Sequence, residues 1–271
     1  MKIFICADIE GTAGITHWDE AKCRSPDERG NPDYIEFREY MTDEVVAACE
    51  GARAAGASEI VVRDAHSMGR NLILAKLPDY VRIMRSWSGH PDLMMFGLDA
   101  SFAAALYTGY HSKAGTDTNP LAHTMSGTVS RLLINGEVES EYTLSALCAA
   151  RYGVPSAFLS GDAGMCADAK VLVPAIGTVA TSEGFGPATS SLTPKAAVAA
   201  IRDGVEAALS RDLSACLPKL ADSFELVVEY TTPDKAYNVS WYPGVEHVAA
   251  RTLRFKATDF FDILRAVRFI I

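Results

Sequence analysis

Mainly apolar, strand-like runs recur through the first two thirds of the chain, at Ile3 to Ala7, Glu59 to Arg63, Ala104 to Gly109 and Ser156 to Ser160. Helical patterns lie between them, and this alternation predicts a parallel sheet built from βαβ units. Between the first two runs the spacing predicts a helix from about Tyr34 to Ala55. Val45, Val46, Ala48 and Cys49 stand at helical spacing there, and Gly56 holds the place of a C-terminal cap. Asn135-Gly136, set between Leu132-Leu133-Ile134 and Val138, is the dipeptide of a tight hairpin, because both central residues take positive φ. A helix from about Glu141 to Tyr152 follows, ended by Gly153 and Pro155.

The last third reads differently. Thr193-Pro194 and Thr232-Pro233 each pair a capping hydroxyl with proline at the first helical position. Strands are expected at Phe224 to Tyr230 and Val248 to Phe255, then an amphipathic helix from Thr258. The Gly/Pro/Ser/Thr-rich stretch Gly184 to Thr193 is the linker candidate, dividing an alternating βα part, residues 1–185, from a smaller α+β part, residues 190–271.

Composition narrows the function classes. The 271 residues are 49% hydrophobic and 22% charged, an ordinary globular make-up. A net charge of −9 without any Lys/Arg cluster argues against a nucleic-acid partner, which needs a basic surface to replace condensed counterions. No stretch reaches the roughly 18 apolar residues that span a bilayer, so no membrane partner is expected. The chain opens on a strand-like run without a charged leader, and the six scattered cysteines form no Cys-x-x-Cys pair. A cytoplasmic protein with reduced, buried thiols is the expectation.

The chemistry gathers where strands end. Asp8 and Glu10, Asp64 and His66, His111, and Asp162 each follow a predicted strand at once. In an open parallel sheet such positions line one edge, where ligands bind. Residues two apart in extended chain face the same side, which pairs Asp8 with Glu10 and Asp64 with His66. Carboxylates crowded in this way repel unless a cation sits among them, and a set of carboxylate and imidazole without thiolate suits catalytic Zn²⁺ or Mn²⁺. Plainer readings stand beside these. Asp64 and Asp162 can be turn or helix caps, with Asp64 also able to orient His66; His66 and His111 can be structural histidines; Glu141 can simply favour a helix start.

Taken together, Asp8-Ile9-Glu10-Gly11, Asp64-Ala65-His66-Ser67 with Asn71, Gly97-Leu98-Asp99, Gly109-Tyr110-His111, His123-Thr124-Met125 and Ile134-Asn135 with Glu141 resemble the zinc D-aminopeptidases of the M55 type. They occur in family order over about the first 165 residues, with a weaker echo from Trp241 to Glu246. The resemblance implies a Rossmann-like, mainly parallel sheet domain joined to a smaller α+β domain. It implies two Zn²⁺ per subunit, with Asp8 bridging and Glu10, His66, His111 and Glu141 as the other ligands. It further implies His123 as the catalytic histidine, short peptides or amino-acid amides such as D-Ala-D-Ala as substrates, and a homo-oligomer, a decamer of stacked rings among its forms. Where the family pattern has serine two residues before the aspartate, this chain has Cys6. The thiol is either a neighbour of the metals or a small buried strand residue.

Two further readings stand beside this one. A metal-free amidase or acyl transferase would use Cys6 as nucleophile with His66 or His111 as base, leaving the carboxylates without a task. A non-catalytic peptide-binding subunit would leave the whole ligand set unused. A nicotinamide site is disfavoured, since the first strand exits into Asp-Ile-Glu-Gly-Thr-Ala-Gly with no Gly-x-Gly-x-x-Gly cradle. Arg70, Asn71 and Ser112 to Asn119 are candidates for lining a substrate pocket.

Overall fold

The computed structural model describes residues 1–22 and 31–271, so Cys23 lies outside the described residues. Its first half forms β1 (Lys2–Ala7), α1 (Trp18–Ala21), α2 (Pro32–Ala54), β2 (Glu59–Asp64), β3 (Val81–Met84), β4 (Ala104–Tyr110), β5 (Val129–Ile134) and β6 (Glu137–Val138). There follow α3 (Glu141–Arg151), β7 (Ser156–Asp162), α4 (Ala163–Leu172), β8 (Gly177–Phe185), β9 (Ala188–Ser191) and α5 (Pro194–Leu209). The chain closes with β10 (Phe224–Tyr230), α6 (Pro233–Val239), β11 (Glu246–Ala249), β12 (Thr252–Ala257) and α7 (Phe260–Ile270).

The four apolar runs lie side by side as the middle of a seven-stranded sheet, ordered β3-β2-β1-β4-β7-β8-β9. All neighbours in it are parallel except β8 and β9. Strands without polar alternation need cover on both faces, and they receive it. Ile3, Ile5, Ile60, Val62, Leu106 and Phe158 face α2 and α5 in one apolar cluster. Phe4, Cys6, Val61, Tyr107 and Leu159 face the other way, into a cluster shared with a second, antiparallel sheet ordered β11-β12-β10-β5-β6 and with α3 and α7. The fold is therefore α/β, a Rossmann-like sheet with a smaller α+β unit. That unit draws β5 and β6 from residues 129–138 and its other strands from residues 224–257, while α5 packs against α2.

Two local expectations need correction. The stretch Gly184 to Thr193, read as a linker, is largely the β8–β9 hairpin, with Ser182 opposite Ser191 and Phe185 opposite Ala188. Its strand β9 is an edge of alanine, threonine and serine, mostly exposed, which carries no apolar alternation to reveal it. Val248 to Phe255 is two strands rather than one; β11 and β12 pair antiparallel across Ala250 and Arg251, neither of which is a turn former. Asn135-Gly136 does form the tight turn between β5 and β6, at φ +53° and +91°.

The carboxyl ends of the central strands approach backbone to backbone. A Cβ on Gly11 or on Gly161 would lie 1.9 Å from the Tyr110 carbonyl oxygen. One on Gly109, at φ +67°, would lie 2.2 Å from that of Asp8. Only glycine allows contact this close.

Candidate metal centre

From β1 the chain builds outward through β2 and β3 on one side, while β4, β7 and β8 extend the other, so the order reverses between β1 and β4. Ligands settle in the crevice outside the strand ends at such a reversal. Asp8 leaves β1, His111 leaves β4, and His66 stands two residues past β2. The ends are stitched together: Asp8 N–H donates to the Thr108 carbonyl at 2.8 Å, Gly11 N–H to that of Gly109 at 2.8 Å, and Ala65 N–H to that of Ala7 at 2.9 Å.

Glu141 arrives on the first turn of α3, where the Ser140 hydroxyl caps the helix by accepting from Thr143 N–H. His123 comes from the loop after β4, which Asp162 and Asn119 pin down. Asp162 accepts from Ser112 N–H at 2.7 Å and from the Asn119 amide at 3.0 Å, and that amide also donates to the Glu10 carbonyl at 3.0 Å. Met125 N–H donates to Glu141 Oε1 at 2.6 Å, tying this loop to α3.

The six side chains form two groups of three, Asp8 with Glu10 and His66, and His111 with His123 and Glu141. Asp8 connects them. Its Oδ1 is 3.2 Å from His66 Nδ1, and its Oδ2 is 3.6 Å from His111 Nε2. His66 Nδ1 also meets Glu10 Oε2 at 3.0 Å, while His111 Nε2 and His123 Nε2 each lie 3.5 Å from Glu141 Oε1.

The other nitrogen of every ring is committed to a backbone carbonyl. His66 Nε2 is 2.7 Å from the Ala21 oxygen, His111 Nδ1 is 3.0 Å from that of Ser112, and His123 Nδ1 is 2.9 Å from that of Leu121. A carbonyl only accepts, so these nitrogens carry the protons and fix the tautomers. In a neutral ring the remaining nitrogen then presents a lone pair to the carboxylates. Among the described residues, both oxygens of Glu10 and Nε2 of His111 are buried without a hydrogen-bond partner. Lone pairs and anions thus converge where nothing but a proton or a cation can lie between them.

Proton uptake shows the same imbalance. Burial and the Glu10 carboxylate push Asp8 up to about 7. Burial opposes a charge on His66, yet Glu10 and Asp8 push its ring up to about 10. His111 is likewise driven well above the usual imidazole range, burial being outweighed by Glu141. His123 moves the other way, lowered by burial and then by the charge on His111.

A cavity of about 280 Å³ opens onto this cluster. Residues 1–269 match the family of M55 peptidases described as D-aminopeptidase. The chain belongs to the D-aminopeptidase family. It is similar to a D-aminopeptidase of Bacillus subtilis (strain 168), 28% identical over 269 residues that cover 98% of this chain and 95% of the relative. Among solved structures it is similar to the Zn-dependent D-aminopeptidase DppA from Bacillus subtilis, described as a self-compartmentalizing protease. The TM-score is 0.91 at 26% identity, covering 100% of this chain and 96% of that one. The protein is accordingly a metallo-aminopeptidase, a hydrolase.

In this aminopeptidase several candidates fall outside the cluster. Asp64 turns away from His66 and accepts from Asn71 N–H, the Asn71 amide and Leu72 N–H, shaping the loop behind the histidine. Asp162 caps α4 and holds Ser112. Cys6 lies beneath the site, its thiol against the Tyr110 hydroxyl and the Met94 carbonyl, and burial pushes it up to about 12. Neither Arg70, Asn71 nor Ser112 to Asn119 lines the cavity; Lys22, Trp87, Met94 and Met125 do, and none of them was expected as a pocket residue. Among the described residues no helix is long and apolar enough to cross a membrane.

Proposed function

We propose that the protein is a binuclear zinc aminopeptidase that removes the N-terminal residue from short peptides or amino-acid amides, with D residues, as in D-Ala-D-Ala, preferred. One observation carries this reading. Three carboxylates meet three imidazole nitrogens whose protons are held elsewhere by carbonyls, an arrangement that divalent cations complete. The donor set is oxygen and nitrogen with no thiolate, which suits zinc in a catalytic role.

Asp8, with one oxygen toward each group of three, is the residue fit to bridge. Glu10 and His66 would hold one ion with it, and His111 and Glu141 the other. When bound, two zinc ions supply Lewis acidity toward the scissile carbonyl and lower the pKa of a water toward neutrality. His123 keeps its Nδ1 proton on the Leu121 carbonyl, so Nε2 is the atom that takes up a proton and returns it to the leaving amine. Burial and His111 hold this ring neutral at pH 7, and its side chain is the most accessible of the six, 13% exposed. The metal-free reading is disfavoured, because a buried thiol held protonated by its surroundings makes a poor nucleophile.

The likeness to a self-compartmentalizing protease supports a homo-oligomer; in this reading it is a decamer of stacked rings, and its place is the cytoplasm. The test is elemental analysis of protein purified without added metal, alongside turnover of D-Ala-D-Ala and L-Ala-L-Ala. Two zinc per chain and faster release from the D peptide are expected. Full turnover of the D peptide by a zinc-free sample overturns the reading.

A further inference from the structure

The cavity wall holds three carboxylates, Asp8, Glu10 and Glu141, and one ammonium, that of Lys22. No other lysine or arginine lines it among the described residues. A dipeptide brought here carries its own carboxylate, which an anionic wall repels unless a cation stands where that end arrives.

Lys22 is held in place by the site itself. It follows α1, a single turn fixed at its start by reciprocal hydrogen bonds between His17 and Glu20. Its N–H donates to the Trp18 carbonyl at 3.0 Å. The preceding carbonyl, that of Ala21, accepts from His66 Nε2 at 2.7 Å, so the backbone beside Lys22 is bonded to a residue of the cluster. The half-buried side chain then lies over the Trp18 ring, Nζ 3.9 Å from the centroid. That ring in turn meets His123 edge to face at 5.1 Å. Added end to end, 3.9 Å and 5.1 Å place the ammonium within about 9 Å of the His123 ring, and two residues of extended chain reach about 7 Å.

We infer that Lys22 is a specificity residue that receives the C-terminal carboxylate of a dipeptide, so that the enzyme favours free dipeptides over their neutral C-terminal amides. This rests on the aminopeptidase reading above and adds the substrate class to it. The reacting end sits at the acidic cluster beside His123. The leaving residue lies between that cluster and Lys22, and its carboxylate closes on Nζ in a charge-assisted hydrogen bond. Trp18 serves as the floor that keeps the lysine extended, a contact of cation with ring.

The experiment compares D-Ala-D-Ala with its C-terminal carboxamide, using zinc-loaded wild type, Lys22→Met and Lys22→Arg. The wild type should favour the acid, and Lys22→Met should lower the acid-to-carboxamide ratio of kcat/KM about tenfold or more, the scale of one charge-assisted hydrogen bond. The loss should appear in KM rather than kcat, and Lys22→Arg should restore most of the ratio. Equilibrium binding of the two ligands to a His123→Ala background, with and without Lys22→Met, should show the same change in Kd ratio without turnover. Equal losses on acid and carboxamide, or a wild type that does not distinguish them, overturn the role of Lys22 alone. A wild type that hydrolyses neither compound overturns the aminopeptidase reading and this assignment with it.

Discussion

The imidazole rings of His111 and His123 lie face to face, 4.3 Å between centroids and 4° from parallel. Stacked rings this close cannot both carry charge at low cost, and their surroundings push them apart: His111 is driven up by Glu141 against burial, His123 down by burial and by His111. One ring is therefore suited to hold a cation's place and the other to stay neutral and exchange a proton.

Two substitutions should separate proton transfer from metal binding. His123→Ala should keep its zinc and lose roughly 10²- to 10⁴-fold in kcat, the range for a general acid or base. Asp8→Ala should lose metal as well, because its two oxygens serve both groups. Metal content and turnover of the same preparations decide; a fully active His123→Ala ends the assignment.

Reagents should discriminate the metal from the thiol. Chelator should abolish activity and zinc should restore it, whereas iodoacetamide at pH 8 should leave activity intact, since Cys6 is buried and pushed up to about 12. Inactivation that tracks alkylation of Cys6, with chelator harmless, would reverse the conclusion.

Glu44 gives a pH prediction at a carboxyl outside the two candidate ligand groups. It sits in α2 with Oε1 accepting from Ala13 N–H at 2.9 Å and Oε2 buried without a partner among the described residues, and burial pushes its carboxyl from 4.5 up to about 8. Between those values the folded protein holds a proton that the unfolded chain has released. The stability this group contributes is complete below pH 4.5 and is lost as pH rises to 8. Glu44→Gln lacks that dependence, so its stability relative to wild type should rise by about 1.4 kcal/mol per pH unit across the window and level off above it. Denaturant unfolding at several pH values measures the difference; a flat difference excludes the protonated buried acid.

Gly11→Ala should be costly for a steric reason. The new methyl would meet the Tyr110 carbonyl oxygen at 1.9 Å, backbone that has no rotamer to yield. A loss of about 3 kcal/mol or more in unfolding free energy, with weakened zinc binding, is expected. Wild-type stability in this variant would mean that β1 and β4 do not approach so closely.

Sequence carried the central strands, because Ile3 to Ala7 and its counterparts are apolar on both faces and nothing but a covered parallel strand accepts that pattern. The hairpin at Asn135-Gly136 was equally plain, yet its sheet was not. Leu226 pairs with Ile134 across some ninety residues of chain, and no local pattern encodes a partner that far away. Asp8, Glu10, His66 and His111 were legible as candidates because acids and imidazoles follow strand ends, whereas Glu141 and His123 stood out only through the family resemblance. Lys22 and Trp87 were not, since a lysine and a tryptophan in irregular segments look like any exposed loop until the fold turns them toward the acids. Asp64 and Asp162 show the reverse error available to sequence reading: a strand-end carboxylate that serves turns and caps carries the same letter as one that faces a metal.

Each ring of the site is aimed by a main-chain oxygen, that of residue 21, 112 or 121, and every amino acid has one. As far as the rings are concerned, those three positions can drift in identity without loosening the centre. What cannot be tolerated, where oxygen and ring are near neighbours as at 121 and 123, is a change in spacing: inserting or deleting one residue there would swing the lone pair off target. Divergence among related enzymes should therefore run through substitutions at these anchors and stop at insertions inside the short turn that carries His123.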